Sequence, residues 1–207
     1  MVATGGKPVS LEPFVEPLLA LLLGYLLGSI PFGLLLTRLA GAGDLREIGS
    51  GNIGATNVLR TGRKALAAAT LLLDAGKGAA AVLLAAWLWP GTENVAAAGA
   101  FVGHLYPVWL LFRGGKGVAT FLGIALALDW RLGLVYAVAW LGTLALTRIS
   151  SLSGVTAAVS APVAAAYFGR FDVTILFLGF TLLLIWKHRS NVSRLLAGTE
   201  PRVGKSE

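Results

Sequence analysis

Apolar stretches recur along this chain at lengths approaching the roughly 20 residues that a helix needs to cross a bilayer. They lie at 17–40, 65–89, 94–112, 118–128, 131–147, 155–168 and 172–187. Nothing else in the sequence narrows the fold as far. Lipid offers the backbone no hydrogen bonds, so segments of this kind must satisfy their own as helices. The charge content argues against a greasy soluble core: 13% of residues are charged at a mean hydropathy of +0.77, against about 25% in ordinary soluble domains. The stretch at 118–128 covers only about half a bilayer at 1.5 Å rise per residue. Glycine and alanine are abundant throughout these stretches, which lets helices pack closely in lipid. The pattern predicts an all-α integral membrane protein with about seven transmembrane helices. A polar lead over 1–16, with Pro8 and Pro13, precedes a single helical membrane domain over 17–207. The lead has no basic n-region and no small-residue cleavage site follows the first apolar run, so it does not read as a signal peptide.

Orientation follows from the cations between the apolar stretches. With seven crossings and the N-terminus outside, one side collects Arg38, Arg46, Arg60, Arg63, Lys64, Arg113, Lys116, Arg148, Lys187, Arg189, Arg194, Arg202 and Lys205. Only Lys7, Arg131 and Arg170 fall on the other side. The positive-inside rule makes the cation-rich side, with the C-terminus, cytoplasmic. The same rule accounts for the net charge of +7 without nucleic acid. No cysteine is present, which removes disulfides, thiolate metal sites and a cysteine nucleophile.

Three polar stretches fall on the cytoplasmic side in this topology. The first is Gly49-Ser50-Gly51-Asn52-Ile53-Gly54-Ala55-Thr56-Asn57, followed by Arg60. Glycines set among Ser50, Asn52, Thr56 and Asn57 let a backbone bring its N–H groups to an anion, and a helix after Ala55 places Arg60 on one face with Thr56 and Asn57. The second is Arg113-Gly114-Gly115-Lys116-Gly117, directly before the apolar stretch at 118–128. A glycine loop feeding a helix N-terminus suits phosphate, and Lys116 adds a full charge. It is not a Walker A loop, since Leu110 stands where that motif needs its first glycine. The third is Lys187-His188-Arg189-Ser190-Asn191 with Arg194 and then Glu200. Helical spacing puts His188, Asn191 and Leu195 on one face. Read blandly, these are a capped flexible loop, a glycine-rich basic turn and a basic juxtamembrane anchor for acidic lipid. Within the second apolar stretch, Asp74 and Lys77 are three apart and read as a structural pair, because an unpaired ion in a span is costly. His104, with Tyr106 and Pro107, reads as a buried packing histidine.

Several chemistries are missing. Neither histidine is followed by the carboxylate of a His-x4-Asp pair, since Trp109 and Ser193 occupy those places. No HExxH, GxSxG or carboxylate cluster occurs, so no metal or serine nucleophile is expected.

The run from Gly28-Ser29-Ile30-Pro31-Phe32-Gly33 through the first polar stretch to Val58-Leu59-Arg60 resembles the PlsY family of bacterial acyl-phosphate:glycerol-3-phosphate acyltransferases. Gly103-His104 with Pro107, residues 113–120, and Lys187-His188-Arg189-Ser190-Asn191 with Arg194-Leu195-Leu196 resemble it too. The likeness runs from the first apolar stretch to Arg202, with no departure at the motif positions. It implies transfer of an acyl group from acyl phosphate to the 1-hydroxyl of sn-glycerol 3-phosphate, giving lysophosphatidic acid and phosphate. This is the first acylation of phospholipid biosynthesis, with no cofactor and neither acyl-CoA nor acyl carrier protein as direct donor. By the same resemblance Ser50, Arg60, His188 and Asn191 are the catalytic residues. Lys116 with Gly114, Gly115 and Gly117 forms the glycerol-phosphate loop, and Glu200 supports structure. Asn52, Thr56, Asn57 and Arg189 are expected to add substrate contacts. The expected setting is the bacterial inner membrane, among membrane lipid, with the active site facing the cytoplasm and fed by an enzyme that makes acyl phosphate.

Residue chemistry agrees with that implication. Both substrates carry phosphate, which calls for glycine loops and cations. An acyl phosphate already has a good leaving group, so positioning and charge stabilisation are the main tasks. A transporter fits less well, because no internal repeat is visible and the polar motifs gather on one side. A lipid-binding module would need the cations but not Ser50, Asn52 and Asn191 among glycines.

Overall fold

Pro31 decides how the first apolar stretch folds, because it cannot donate to a helix and disfavours the helical conformation in the residue before it. In the computed structural model, which describes residues 12–204, helix α1 (Glu12–Gly28) stops short of it and α2 (Phe32–Leu39) starts after it. The break leaves backbone carbonyls that side chains take up. Lys77 Nζ donates to the Ile30 carbonyl at 2.7 Å and Trp109 Nε1 to that of Ser29 at 2.8 Å. The first helix therefore begins earlier than the expected start at 17, inside the polar lead, and is not continuous. Residues 1–11 of the lead, with Lys7, and Lys205 near the other end lie outside the described residues.

The remaining helices are α3 (Ala55–Leu59), α4 (Lys64–Leu88), α5 (Glu93–Leu105), α6 (Val118–Leu128), α7 (Trp130–Thr147), α8 (Ser150–Tyr167), α9 (Phe171–Lys187) and α10 (Arg189–Leu196). Among the described residues there is no strand. Helix α5 is shorter than the expected 94–112, because Pro107 again stops it and a 3-10 turn at Val108–Leu110 follows. At 13 residues it reaches about 20 Å. Helix α8 begins at Ser150 rather than 155, so the serines there belong to its first turns. Three stretches are long and apolar enough to cross a membrane: Pro13–Leu39, Lys64–Leu88 and Trp130–Thr147. The pair α9 and α10 makes a fourth if its 64° bend falls within one span.

Close backbone approach holds the bundle together, as expected where lipid removes the hydrophobic drive between helices. Helices α1 and α5 cross on glycine. A methyl added at Gly24 or Gly28 would meet the Ala96 or Ala100 carbonyl, and one at Gly99 or Gly103 the Leu21 or Tyr25 carbonyl. Gly123 likewise rests on the Ala75 carbonyl, joining α6 to α4. Alanines 157, 158, 161, 164 and 165 line the buried face of α8. Phe101, Phe121, Phe177, Phe180 and Tyr136 fill the centre, with Phe101 and Phe180 stacked at 4.2 Å. Large apolar side chains face outward instead: Leu72 is 71% exposed, Trp87 77% and Ile175 80%. In water such a surface would be a liability, and in a bilayer it is the solvent-facing side.

Candidate active site

The first polar stretch is folded around Asn57. Its Oδ1 accepts the Ser50 N–H at 3.1 Å, while Nδ2 donates to the carbonyls of Leu45, Ile48 and Asn52 at 3.0, 2.9 and 2.8 Å. Asn57 is thus fully engaged in shaping the loop, with its side chain buried. Asn52 Oδ1 accepts the Gly54 N–H at 3.0 Å, just ahead of α3. Leu45, Ile53 and Val58 anchor the loop below, against Leu34 and Ala67. A positive φ of 53° at Gly49 suits glycine, and a Cβ there would sit 2.7 Å from Asn57 Oδ1 and 2.9 Å from Arg60 Nη1. Arg60 therefore lies across Gly49, and both Ser50 and Arg60 are exposed. Thr56 reaches α8 through a 2.9 Å hydrogen bond between its hydroxyl and that of Ser150.

The second stretch is laid over the end of α5. Gly114 N–H donates to the Leu105 carbonyl at 3.2 Å and Gly115 N–H to that of His104 at 3.0 Å. A methyl at Gly114 would meet the His104 carbonyl, and one at Gly115 the His104 imidazole. At Gly117, whose φ is +87°, it would meet the Phe101 ring. These glycines serve close approach to α5, and the first two amides already have protein partners. Tyr25 fixes the intervening turn: its hydroxyl donates to the Tyr106 carbonyl at 2.9 Å and accepts the Val108 N–H at 3.0 Å.

What the loop delivers is Lys116. Its Nζ donates to Asn191 Oδ1 at 2.6 Å, across 75 residues of sequence. Asn191 Nδ2 in turn donates to Glu200 Oε1 at 2.6 Å. Glu200 also accepts from Ser151 Oγ at 2.6 Å and from Arg194 Nε at 2.7 Å. The second and third polar stretches are thereby one hydrogen-bonded chain. Burial pushes the Lys116 ammonium down to about 8; Glu200 opposes this, while Arg194, Arg60 and Lys187 reinforce it. Arg60 of the first stretch therefore lies within electrostatic reach of Lys116. Burial on its own would raise the Glu200 carboxyl. The hydrogen bonds from Ser151, Asn191 and Arg194 outweigh it and hold the group below its ordinary value.

His188 occupies the 64° corner between α9 and α10. Its Nδ1 lies 2.8 Å from the Leu184 carbonyl. A carbonyl cannot donate, so Nδ1 carries the proton and Nε2 is left as acceptor. That nitrogen lies 3.6 Å from the position a Cβ on Gly154 would take. Burial, then the Lys116 charge, pushes the imidazole down to about 4. Lys187 donates to the Leu105 carbonyl at 3.1 Å. Arg189 is exposed, its guanidinium 5.2 Å from the Trp186 ring, and none of its contacts joins it to the Lys116–Asn191–Glu200 chain.

Sequence reasoning passed over Ser150, Ser151 and Gly154, the residues by which α8 meets the first and third stretches and Val118 at the start of α6. The available signal was the serine-rich run Ser150-Ser151-Leu152-Ser153 at the mouth of an apolar helix. A recess of about 320 Å³ between Glu93, Asn94, Arg170 and Asp172 lies toward the other end of α4, and no motif residue lines it. Arg170 there is already paired, at 2.8 Å with Asp172 and 3.3 Å with Asp129. Among the described residues no three His, Asp or Glu side chains come together to hold a metal. The motif end is instead a cluster of cations with a neutral imidazole and one carboxylate, suited to anionic oxygens.

Comparison with known proteins agrees with that chemistry. The glycerol-3-phosphate acyltransferase family profile matches residues 18–198. A glycerol-3-phosphate acyltransferase of Mesorhizobium japonicum is 60% identical over 187 residues, covering 90% of this chain and 96% of that one. One of Brucella ovis is 58% identical over 185 residues, covering 89% and 92%. A crystal structure of PlsY, an integral membrane glycerol 3-phosphate acyltransferase in its glycerol 3-phosphate form, superimposes with a TM-score of 0.86. It is 37% identical, with 91% of this chain and 96% of that one covered. The lysophosphatidic acid form of PlsY gives 0.84 at 36% identity.

Proposed function

This chain belongs to the PlsY family of glycerol-3-phosphate acyltransferases, and we propose that it moves an acyl group from acyl phosphate to the 1-hydroxyl of sn-glycerol 3-phosphate. The products are lysophosphatidic acid and inorganic phosphate. The observation that carries this reading is the 2.6 Å bond from Lys116 to Asn191, which joins the second and third polar stretches at one place with Arg60 of the first in electrostatic reach. Lys116 and its loop hold glycerol 3-phosphate. Ser50 and Arg60 hold the acyl phosphate, where negative charge grows on the carbonyl oxygen and the leaving phosphate. The 1-hydroxyl oxygen attacks the acyl carbon, the bond to the phosphate oxygen breaks, and the hydroxyl proton goes to a phosphate oxygen. His188, neutral with Nε2 as acceptor, orients that hydroxyl. An imidazole held near 4 is a weak base at working pH, which favours the substrate's phosphate as proton acceptor. Asn52, Thr56 and Asn57 shape the first loop around these groups, and Glu200 holds Asn191 in place.

The setting that goes with this chemistry is the bacterial inner membrane, with about seven crossings, the N-terminus outside and the site at the cytoplasmic surface. Arg60, Lys116, Lys187 and Arg194 lie at one end of the bundle and Arg131 and Arg170 at the other, as the positive-inside rule requires. An enzyme producing acyl phosphate would supply the donor. Because the chain has no cysteine, single cysteines report the topology cleanly. Cysteines at Gly91 and Gly169 should label from outside intact cells and one at Arg63 should not; labelling at Arg63 would reverse the orientation.

The deciding experiment is phosphate release by the purified protein given acyl phosphate and glycerol 3-phosphate. Turnover is expected with acyl phosphate alone, and a comparable rate with acyl-CoA, where no acyl phosphate can form, would defeat the proposal. A pH series adds a second check. Lys116 is charged below about 8 and neutral above it. The kcat/KM for glycerol 3-phosphate should therefore fall as pH rises through about 8, since that ratio reports the free enzyme. Lys116→Arg should remove the limb, because a guanidinium stays charged.

A further inference from the structure

His104 has no part in the chemistry above, yet it lies directly beneath the loop that carries Lys116. Gly115 rests on its imidazole so closely that a Cβ would collide with Nε2, and the Gly115 N–H is bonded to the His104 carbonyl at 3.0 Å. On the other edge of the ring, Nδ1 stands 3.8 Å from Asp74 Oδ1 and has no hydrogen-bond partner among the described residues. Asp74 Oδ1 is 2.7 Å from Lys77 Nζ, which also donates to the Ile30 carbonyl exposed by the break at Pro31. Asp74, Lys77 and His104 are all buried, at 3%, 5% and 5% exposure.

A buried ion pair contributes little net stability, since apolar residues of similar size often do as well or better, and within a span it is costly. What this one provides is a fixed point. It ties the α1–α2 break, the middle of α4 and the end of α5 to a single rigid spot under the glycine loop. We propose that His104, braced by the Asp74–Lys77 pair, is a positioning residue for the glycerol 3-phosphate site. Its imidazole sets where the Gly115 backbone rests and so how far Lys116 reaches toward Asn191 and the substrate. The inference rests on the assignment of that loop to glycerol 3-phosphate.

Glycerol 3-phosphate affinity, measured by calorimetry on the detergent-purified full-length protein beside transfer kinetics, tests it. His104→Ala should weaken glycerol 3-phosphate binding about tenfold and raise its KM alike, as displacement of a positioned group does. The KM for acyl phosphate should stay at the wild-type value. In a Lys116→Ala background the same change should have no further effect, because it acts through that lysine. Gly115→Ala should also weaken binding, and combining it with His104→Ala should restore part of the loss, the methyl filling space the ring vacates. Additive losses in the Lys116→Ala background, or equal rises in both KM values, would overturn the proposal. If His104→Ala does not fold, His104→Gln keeps a polar atom near the Nε2 position. Affinity within about twofold of wild type then supports the role and a tenfold loss refutes it. A wild-type protein that binds glycerol 3-phosphate but transfers nothing would defeat the proposed reaction, while the affinities still decide this point.

Discussion

Arg60→Ala should lower kcat for acyl transfer about a hundred- to a thousandfold, equivalent to roughly 2.7–4 kcal/mol of transition-state stabilisation. The residue closes α3 and lies over Gly49, beside the loop that presents Ser50. Among the described residues it forms no ion pair, unlike Arg38 and Arg46, which both bind Asp44. Its charge is therefore available to an anion, and losing it should cost the fold little. The expected signature is a severe kcat defect with the melting temperature near wild type. A variant with normal kcat and a many-fold higher KM for glycerol 3-phosphate would mean that Arg60 and Lys116 have exchanged substrates. One that fails to fold would mean that Arg60 props the loop.

Asn191→Asp should lower kcat/KM by about a hundredfold, although it changes one amide to an acid of the same shape; losing a satisfied buried hydrogen bond to a charged group typically costs 1.5–3 kcal/mol. Asn191 accepts from Lys116 and donates to Glu200, both at 2.6 Å. An amide does both at once. An ionised carboxylate accepts only, so Asp at this position would face the Glu200 carboxylate at hydrogen-bond distance and draw Lys116 into a tighter pair. The lysine would then be neutralised just where the substrate dianion needs it. Asn191→Ala should be milder in stability, since it leaves Glu200 with Ser151 and Arg194. An Asp variant as active as wild type would show that the Lys116–Asn191–Glu200 chain is incidental.

Several features of the site were readable in advance because they are local. Ser50, Asn57 and Arg60 sit within one short loop and turn, so spacing alone groups them. Asp74 and Lys77 are neighbours on any helix, and their contact at 2.7 Å needs no knowledge of the rest of the chain. The glycines were legible as loop residues but not in their purpose. That Gly115 must be small follows from the imidazole of His104 on α5 folding back beneath the loop, which sequence spacing cannot reveal. Ser150 and Ser151 were missed for the same reason: a serine at a helix start is ordinary until Thr56 and Glu200 arrive beside it. Hydropathy carries the third apolar stretch on through Val108–Leu110, although the chain has already left the helix before Pro107.

By itself the amino-acid sequence determined the all-helical character of the chain, its apolar exterior and the order of its three polar stretches. Those properties come from hydropathy, helical periodicity and the fixed behaviour of proline and glycine, which act over a few residues. Only the tertiary structure decided that Lys116 meets Asn191, that α8 touches the first and third stretches and that His104 lies under the glycine loop. Each of those contacts depends on helices crossing at glycine and alanine, where the absence of side chains lets distant backbones come together. A contact across 75 residues is set by that packing geometry and by nothing in the local sequence at either end.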